Sequence, residues 1–249
     1  MILAIDVGNS RIKWGLAEQV DAAAVHWHAT GAVALAQVEL LAETWSTLPP
    51  PSRVAIANVA GVAVAQRIEK VAMRFGVPPL WIRAQASACG VVNRYDDPTQ
   101  LGCDRWAALV AAWNRVHGPC LVVNAGTATT IDLLASAGEF RGGVILPGVA
   151  LMKKALAENT AGLALLEGHH CAEPRNTADA IESGCREAQA GAIMRMVSRL
   201  PGGAPCLISG GDARAIASLL DFTATVVEHL TLEGIARLAL ADSSQETHA

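Results

Sequence analysis

The sequence predicts an α/β protein of two related lobes, residues 1–118 and 119–249. Three observations point there. Two look-alike segments, Ile5-Asp6-Val7-Gly8-Asn9-Ser10 and Val123-Asn124-Ala125-Gly126-Thr127-Ala128, stand about half the chain apart, each ending a short apolar run. The order of strand-like and helix-like segments in the first half recurs in the second, an alternation typical of α/β folds. And 249 residues, 52% hydrophobic and 17% charged, supply core for one large domain or two small ones.

In the first lobe, Met1–Asp6 and Arg11–Glu18 read as strands around the first glycine turn, with Ala22–His28 as a third antiparallel strand. Ala32–Trp45 has helical spacing, with Leu35, Val38, Leu41 and Ala42 on one side. Pro49-Pro50-Pro51 breaks the chain. Arg53–Asn58 then reads as a strand, Val62–Phe75 as a helix and Leu80–Arg83 as a strand. Asp104–His117 is a long Ala-rich helix stopped by Gly118-Pro119.

The second lobe restarts with strands Cys120–Asn124, Ala128–Leu134 and Glu139–Ile145. Val149–Glu158, Thr177–Leu200, Ala213–Leu220 and Leu232–Ala241 read as helices, and Cys206–Ser209 and Thr225–Val227 as strands. The polar tail Asp242–Ala249 is expected to fray.

A net charge of −4 gives no electrostatic footprint for nucleic acid and no polybasic membrane patch. An anionic substrate must therefore be held by local donors. The six cysteines form no CxxC pair, so reduced thiols in the cytoplasm are expected. A signal-peptide pattern and a transmembrane-length apolar run are both lacking.

The two glycine turns carry the chemistry. Each exposes backbone N–H groups and hydroxyls in a concave loop suited to phosphate. Facing each other, they would grip a nucleotide tail from both sides, which makes phosphoryl transfer the leading expectation. Asp6 closes a buried strand, where an unpaired carboxylate is costly. A hydrated Mg²⁺ bridging to phosphate oxygens would resolve that cost. Arg11 and Lys13 share a strand face and place cations near the phosphates. In the second turn, the Thr127 hydroxyl and the Gly126 and Thr127 amides suit a terminal phosphate. Asp132 sits inside the following strand, either structural or helping to organise the metal.

Ser209-Gly210-Gly211-Asp212 follows a short strand, and its paired glycines allow a flat ring to approach the backbone. A plain turn with Asp212 as helix cap is the alternative. Gly142-Gly143 with Pro147-Gly148 suggests a sharp strand-to-helix turn close to ligand. Tyr95 through Arg105 is a polar loop entering an apolar helix. Capping that helix is the plainer role for Asp104, and general base for a substrate hydroxyl the chemical one. Arg105 suits an acid group on the substrate. His26, His28 and His169-His170-Cys171 lack completed ligand spacing and read as solvated.

Together, Asp6-Val7-Gly8-Asn9-Ser10, Tyr95, Leu101-Gly102-Cys103-Asp104-Arg105-Trp106, Gly126-Thr127-Ala128-Thr129-Thr130-Ile131-Asp132, Gly142-Gly143, Pro147-Gly148 and Asn176-Thr177 resemble type III pantothenate kinase. The single loops are common to the wider acetate and sugar kinase, Hsp70 and actin superfamily; the Leu-Gly-x-Asp-Arg segment is more specific. The resemblance implies two ribonuclease-H-like lobes in an actin-like ATPase architecture. It implies phosphorylation of pantothenate by ATP with Mg²⁺, opening coenzyme A synthesis. By the same resemblance Asp6, Val7, Gly8, Asn9, Ser10, Arg11, Ile12, Lys13 and Thr127 contact ATP. Tyr95, Gly102, Cys103, Asp104 and Arg105 line the pantothenate pocket, and Asp104 takes the hydroxyl proton. Thr177 touches pantothenate from the partner subunit of a homodimer.

One position departs from the family pattern. Asn124 stands where members usually carry an Asp that binds a monovalent cation. Asn keeps an oxygen ligand but loses a charge, so a K⁺ or NH₄⁺ requirement stays open. Two alternatives remain: a sugar or carboxylate kinase of the same fold, and a non-catalytic nucleotide-binding regulator. Acceptor-dependent ADP release separates enzyme from regulator.

Overall fold

The computed structural model describes residues 1–21, 24–160, 163 and 167–246. Its strands are β1 Ile2–Val7, β2 Arg11–Val20, β3 Val25–Ala34, β4 Arg53–Asn58, β5 Leu80–Trp81, β6 Ser87–Ala88, β7 Val91–Asn93, β8 Cys120–Ala125, β9 Ala128–Leu134, β10 Glu139–Pro147, β11 Cys206–Ser209 and β12 Ala224–Val226. The α-helices are α1 Leu40–Thr44, α2 Val62–Ala72, α3 Cys103–Val116, α4 Val149–Asn159, α5 Thr177–Val197, α6 Ala213–Ala217 and α7 Leu230–Glu246.

The chain forms two compact units. Unit 1 holds Met1–His117, Ser136–Arg141 and His229–Ala249; unit 2 holds Gly118–Ala135 and Gly142–Glu228. The chain first leaves unit 1 after His117 and returns to it twice.

Each unit is built on the same strand order. One sheet runs β3-β2-β1-β4-β5; the other has seven strands, β6-β7-β10-β9-β8-β11-β12, and its β10-β9-β8-β11-β12 part repeats the order of the first. In both, the first strand of the unit is central, antiparallel to the next strand and parallel to the fourth. A central strand is covered on both faces, which is why β1 and most of β8 are continuous buried apolar runs. The duplication expected from the sequence is thus present strand for strand, and the fold is the expected mixed α/β class.

Parity along β1 decides where its carboxylate points. Leu3, Ile5 and Val7 pack with Val38, Leu41 and Trp45 and with Ile68 of α2 in one core. Asp6 shares the opposite face with Ile2 and Ala4. On β8, Leu121, Val123 and Ala125 join a core with Ile193 and Ile216 from the α5 and α6 helices, leaving Asn124 on the other face with Cys120 and Val122.

In unit 1, α3 and α7 cross closely at Gly234, where a Cβ would lie 1.7 Å from the Ala107 carbonyl oxygen. Arg115 clamps the same pair through Glu233, with hydrogen bonds of 2.7 and 2.5 Å.

Three expectations change. The helix read over 32–45 shrinks to Leu40–Thr44, because Ala32 and Val33 are taken by pairing with Lys13 and Ile12 on β2. Val38, Leu41 and Trp45 are nevertheless buried, as their spacing required. The hairpin of β6 and β7 was not expected. Its turn residues Cys89 and Gly90 have φ of 50° and 82°, and Cys-Gly lacks the sequence signal of Asn-Gly. The helix read over 232–241 extends at both ends, to Leu230–Glu246. That covers part of the tail expected to fray; the remainder of the tail, like Ala22 and Ala23 of the third strand, lies outside the described residues.

Among the described residues no helix is long and apolar enough to cross a membrane. All six cysteines are free thiols.

Candidate active site

In unit 1, Asp6 is the penultimate residue of β1, directly opposite Lys13 of β2, and is only 8% exposed. Burial pushes its carboxyl up to about 7; Lys13 opposes this, and the nearby negative charge of Asp104 adds to it. The turn beyond closes with Gly8 N–H donating to the Arg11 carbonyl at 3.1 Å. Asn9, Ser10 and Arg11 are exposed at its tip, while Ile12 is fully buried and anchors the following strand. A buried carboxylate within electrostatic reach of a second one, beside an exposed loop of amides and hydroxyls, fits a hydrated divalent cation carrying phosphate oxygens. Such ions are held by one or two carboxylates plus water rather than by an all-protein cage. Among the described residues no cluster of three His, Cys, Asp or Glu exists to hold one alone.

Asp104 is the second residue of α3, and the helix cap is Gly102. The carboxylate is therefore not the cap: its Oδ1 accepts the Arg105 N–H at 2.8 Å. A Cβ on Gly102 would lie 2.6 Å from that oxygen, so glycine there is the condition for Asp104 to sit where it does. Cys103 donates its thiol to the Asn58 carbonyl at 3.5 Å. Burial, with Asp104 beside it, pushes that thiol up to about 11, so it stays neutral.

Arg105 is 6% exposed. Its Nη1 donates to the Tyr95 hydroxyl at 3.1 Å, and its guanidinium lies over the Tyr95 and Phe140 rings at 5.8 and 5.7 Å. Tyr95 and Phe140 are themselves 5.1 Å apart. The two residues expected to line one pocket thus form a single packed group. Phe140 completes it, and nothing in its sequence context signalled that.

In unit 2, Asn124 pairs with Thr130 across β8 and β9, and both share a face with the buried Asp132. The second turn closes with Gly126 N–H donating to the Ala128 carbonyl at 3.2 Å, leaving Thr127 exposed at the tip. Two motifs far away in sequence brace this turn. Gly148 N–H donates to the Thr127 carbonyl at 2.9 Å, and a Cβ on Gly148 would lie 2.0 Å from the Gly126 oxygen. A Cβ on Gly210 would lie 2.1 Å from the Ala125 oxygen, which also accepts from Asp212 N–H at 3.2 Å. Gly211 faces open space, so of the glycine pair it is the one a ring can approach. Gly148→Ala should shift the turn, costing about 1–3 kcal/mol of stability and raising KM for ATP. A urea melt and a KM titration check both.

Thr177 opens α5 behind the cap Asn176, whose side chain accepts from Asp179 N–H at 2.9 Å. It lines an open apolar cavity of about 1100 Å³ with Met152, Leu156 and Ile181. This is a different part of unit 2 from the Thr127 turn. His26 pairs with Asp21 at 3.2 Å and His170 with Glu187 at 2.9 Å, both at the surface.

The chain matches the family model for type III pantothenate kinase over residues 2–199. A type III pantothenate kinase from Aromatoleum aromaticum is 50% identical over 247 residues, covering 98% of this chain and 100% of that protein. Among solved structures, a protein from Campylobacter jejuni assigned to the Baf family of transcriptional activators superposes with a TM-score of 0.64 at 20% identity, covering 97% of this chain and 99% of that one. A ROK family glucokinase from Streptomyces griseus, in complex with glucose and AMPPNP, gives a TM-score of 0.51 at 13% identity over 96% of this chain and 99% of its own. At those identities the structures speak for the fold alone.

Proposed function

This chain belongs to the type III pantothenate kinase family, and from that premise we propose that it transfers the γ-phosphate of ATP to the 4′-hydroxyl of pantothenate, opening coenzyme A biosynthesis. The observation that carries the reading is that Asp104, set by Gly102 at the start of α3, lies within electrostatic reach of the buried carboxyl of Asp6.

The roles follow from chemistry. Gly8 to Lys13 and the Thr127 turn offer amides, hydroxyls and cations to the ATP phosphates. Asp6 would hold Mg²⁺ through water, and the ion would neutralise charge on the transferring phosphoryl group. Asp104 orients the acceptor hydroxyl and takes its proton. Tyr95 and Arg105 form one wall of the pantothenate pocket, with Gly102 and Cys103 as its backbone edge. The same reading makes the chain a cytoplasmic homodimer in which Thr177 meets pantothenate bound to the partner subunit. Its exposed place beside an apolar cavity supports that role.

The test is ADP release with pantothenate against a panel of sugars and acetate. Release dependent on pantothenate supports the proposal; release dependent on a sugar, or ATP binding with no acceptor effect, opposes it.

Asn124 gives a second prediction. With no charge there, KCl should alter turnover little at constant ionic strength. Asn124→Asp should make turnover K⁺-activated, read as ADP release in KCl against tetramethylammonium chloride.

A further inference from the structure

Unit 1 holds a cavity of about 810 Å³ that shares Gly102 and Cys103, and no other assigned residue, with the proposed pantothenate pocket. It opens beyond the carboxyl ends of β4 and β5, the edge of an α/β sheet where ligands bind. Val59, Val62, Ala65, Trp81, Ile82 and Leu101 give it apolar walls. Tyr95, Asp104 and Arg105 are absent from its lining, although Gly102 and Cys103 belong to it. An occupant would therefore border the turn that sets Asp104 without lining residues from Tyr95 or Arg105.

The polarity of the cavity is one-sided. No Asp or Glu lines it, and Arg83 does. Arg83 is exposed and has no hydrogen bond or ion pair among the described residues. Its other flank borders a cleft of about 70 Å³ that also contains Asp242, beyond ion-pair distance. The amino ends of α2 and α3 also reach the cavity, at Gly61-Val62 and Gly102-Cys103, and neither has a side-chain cap. Their partial positive charge adds to that of Arg83. Pockets of roughly 300–1000 Å³ with apolar walls and few polar groups suit small molecules.

We propose that this cavity binds an amphiphilic anion, a carboxylate or phosphate monoester on a small apolar body, at a site separate from the phosphate acceptor. Arg83 takes the charged head, and Trp81, Val62 and Ala65 take the body.

The test uses ligand-observed NMR on the full chain without ATP, with hexanoate, hexyl phosphate and hexanol as probes. Both anions should bind more tightly than hexanol, and their ranking distinguishes a carboxylate ligand from a phosphate ester. Arg83→Gln should weaken both anions about tenfold or more, the loss of one charge-assisted hydrogen bond, and leave hexanol unchanged. Ala65→Trp, which fills the cavity, should remove all three without changing the thermal midpoint much. Saturating pantothenate should not displace them. Equal binding of hexanol and hexanoate, no binding of any probe, indifference to Arg83→Gln, or displacement by pantothenate would each overturn the proposal.

Discussion

Asp104→Asn is expected to lower kcat by roughly 10²–10⁴, the usual contribution of a positioned general base. The amide is nearly isosteric, and its oxygen can still accept the Arg105 N–H that Asp104 accepts at 2.8 Å. The start of α3 should therefore keep its shape. ATP affinity, measured by calorimetry, should change little, because the substitution leaves the Gly8–Lys13 and Thr127 turns and the Asp6 carboxyl in place. That split between binding and turnover distinguishes a base from a structural carboxylate. A structural role would lower the thermal midpoint and ATP affinity together; near-normal kcat would remove Asp104 from the chemistry altogether.

Asp6→Asn should reduce turnover by roughly 10²-fold or more, a typical loss when an electrostatic contact to the reacting group is removed. In the Mg²⁺-free protein the same change should be stabilising, and the sign follows from linkage. Burial pushes the folded carboxyl up to about 7 from its ordinary value of 3.8. The folded state therefore holds a proton that the unfolded chain releases. Stability from this group is fully present below the unfolded value and is lost as pH rises through about 7. Asparagine has no such loss. The gap in unfolding free energy between variant and parent should be small near pH 4 and grow to a plateau above pH 7. Mg²⁺ should narrow the gap at alkaline pH by stabilising the parent alone. Urea titrations with and without Mg²⁺ measure both effects. A gap that does not depend on pH would mean that Asp6 ionises normally.

Much of this was legible in the sequence, for identifiable reasons. Central strands are buried on both faces, so β1 and β8 announce themselves as apolar runs. The turns after them repeat because the strand order repeats. Asp6 stood out because a carboxylate ending such a run needs a partner. Other features come from long-range contacts that no local pattern encodes. The need for glycine at 148 and 210 comes from the carbonyls of Gly126 and Ala125, far away in the chain. The clustering of Phe140 with Tyr95 and Arg105 depends on residues 136–141 returning to unit 1. The short α1 shows tertiary pairing overriding helical spacing, since β2 recruits Ala32 and Val33 as partners. Local sequence makes capping the plainer role for Asp104, and only the placement of Gly102 as the cap frees its carboxylate for another.

The central claim is that the transferred phosphoryl group ends on a hydroxyl of pantothenate. ³¹P NMR of the reaction mixture, with mass spectrometry of the acceptor, tests this most directly. A new phosphate monoester on the 4′-oxygen, growing in step with ADP and nearly abolished in the Asp104→Asn protein, is the expected result. Inorganic phosphate as the sole new phosphorus species, or a phosphorylated sugar formed in preference when both acceptors are present, would contradict it.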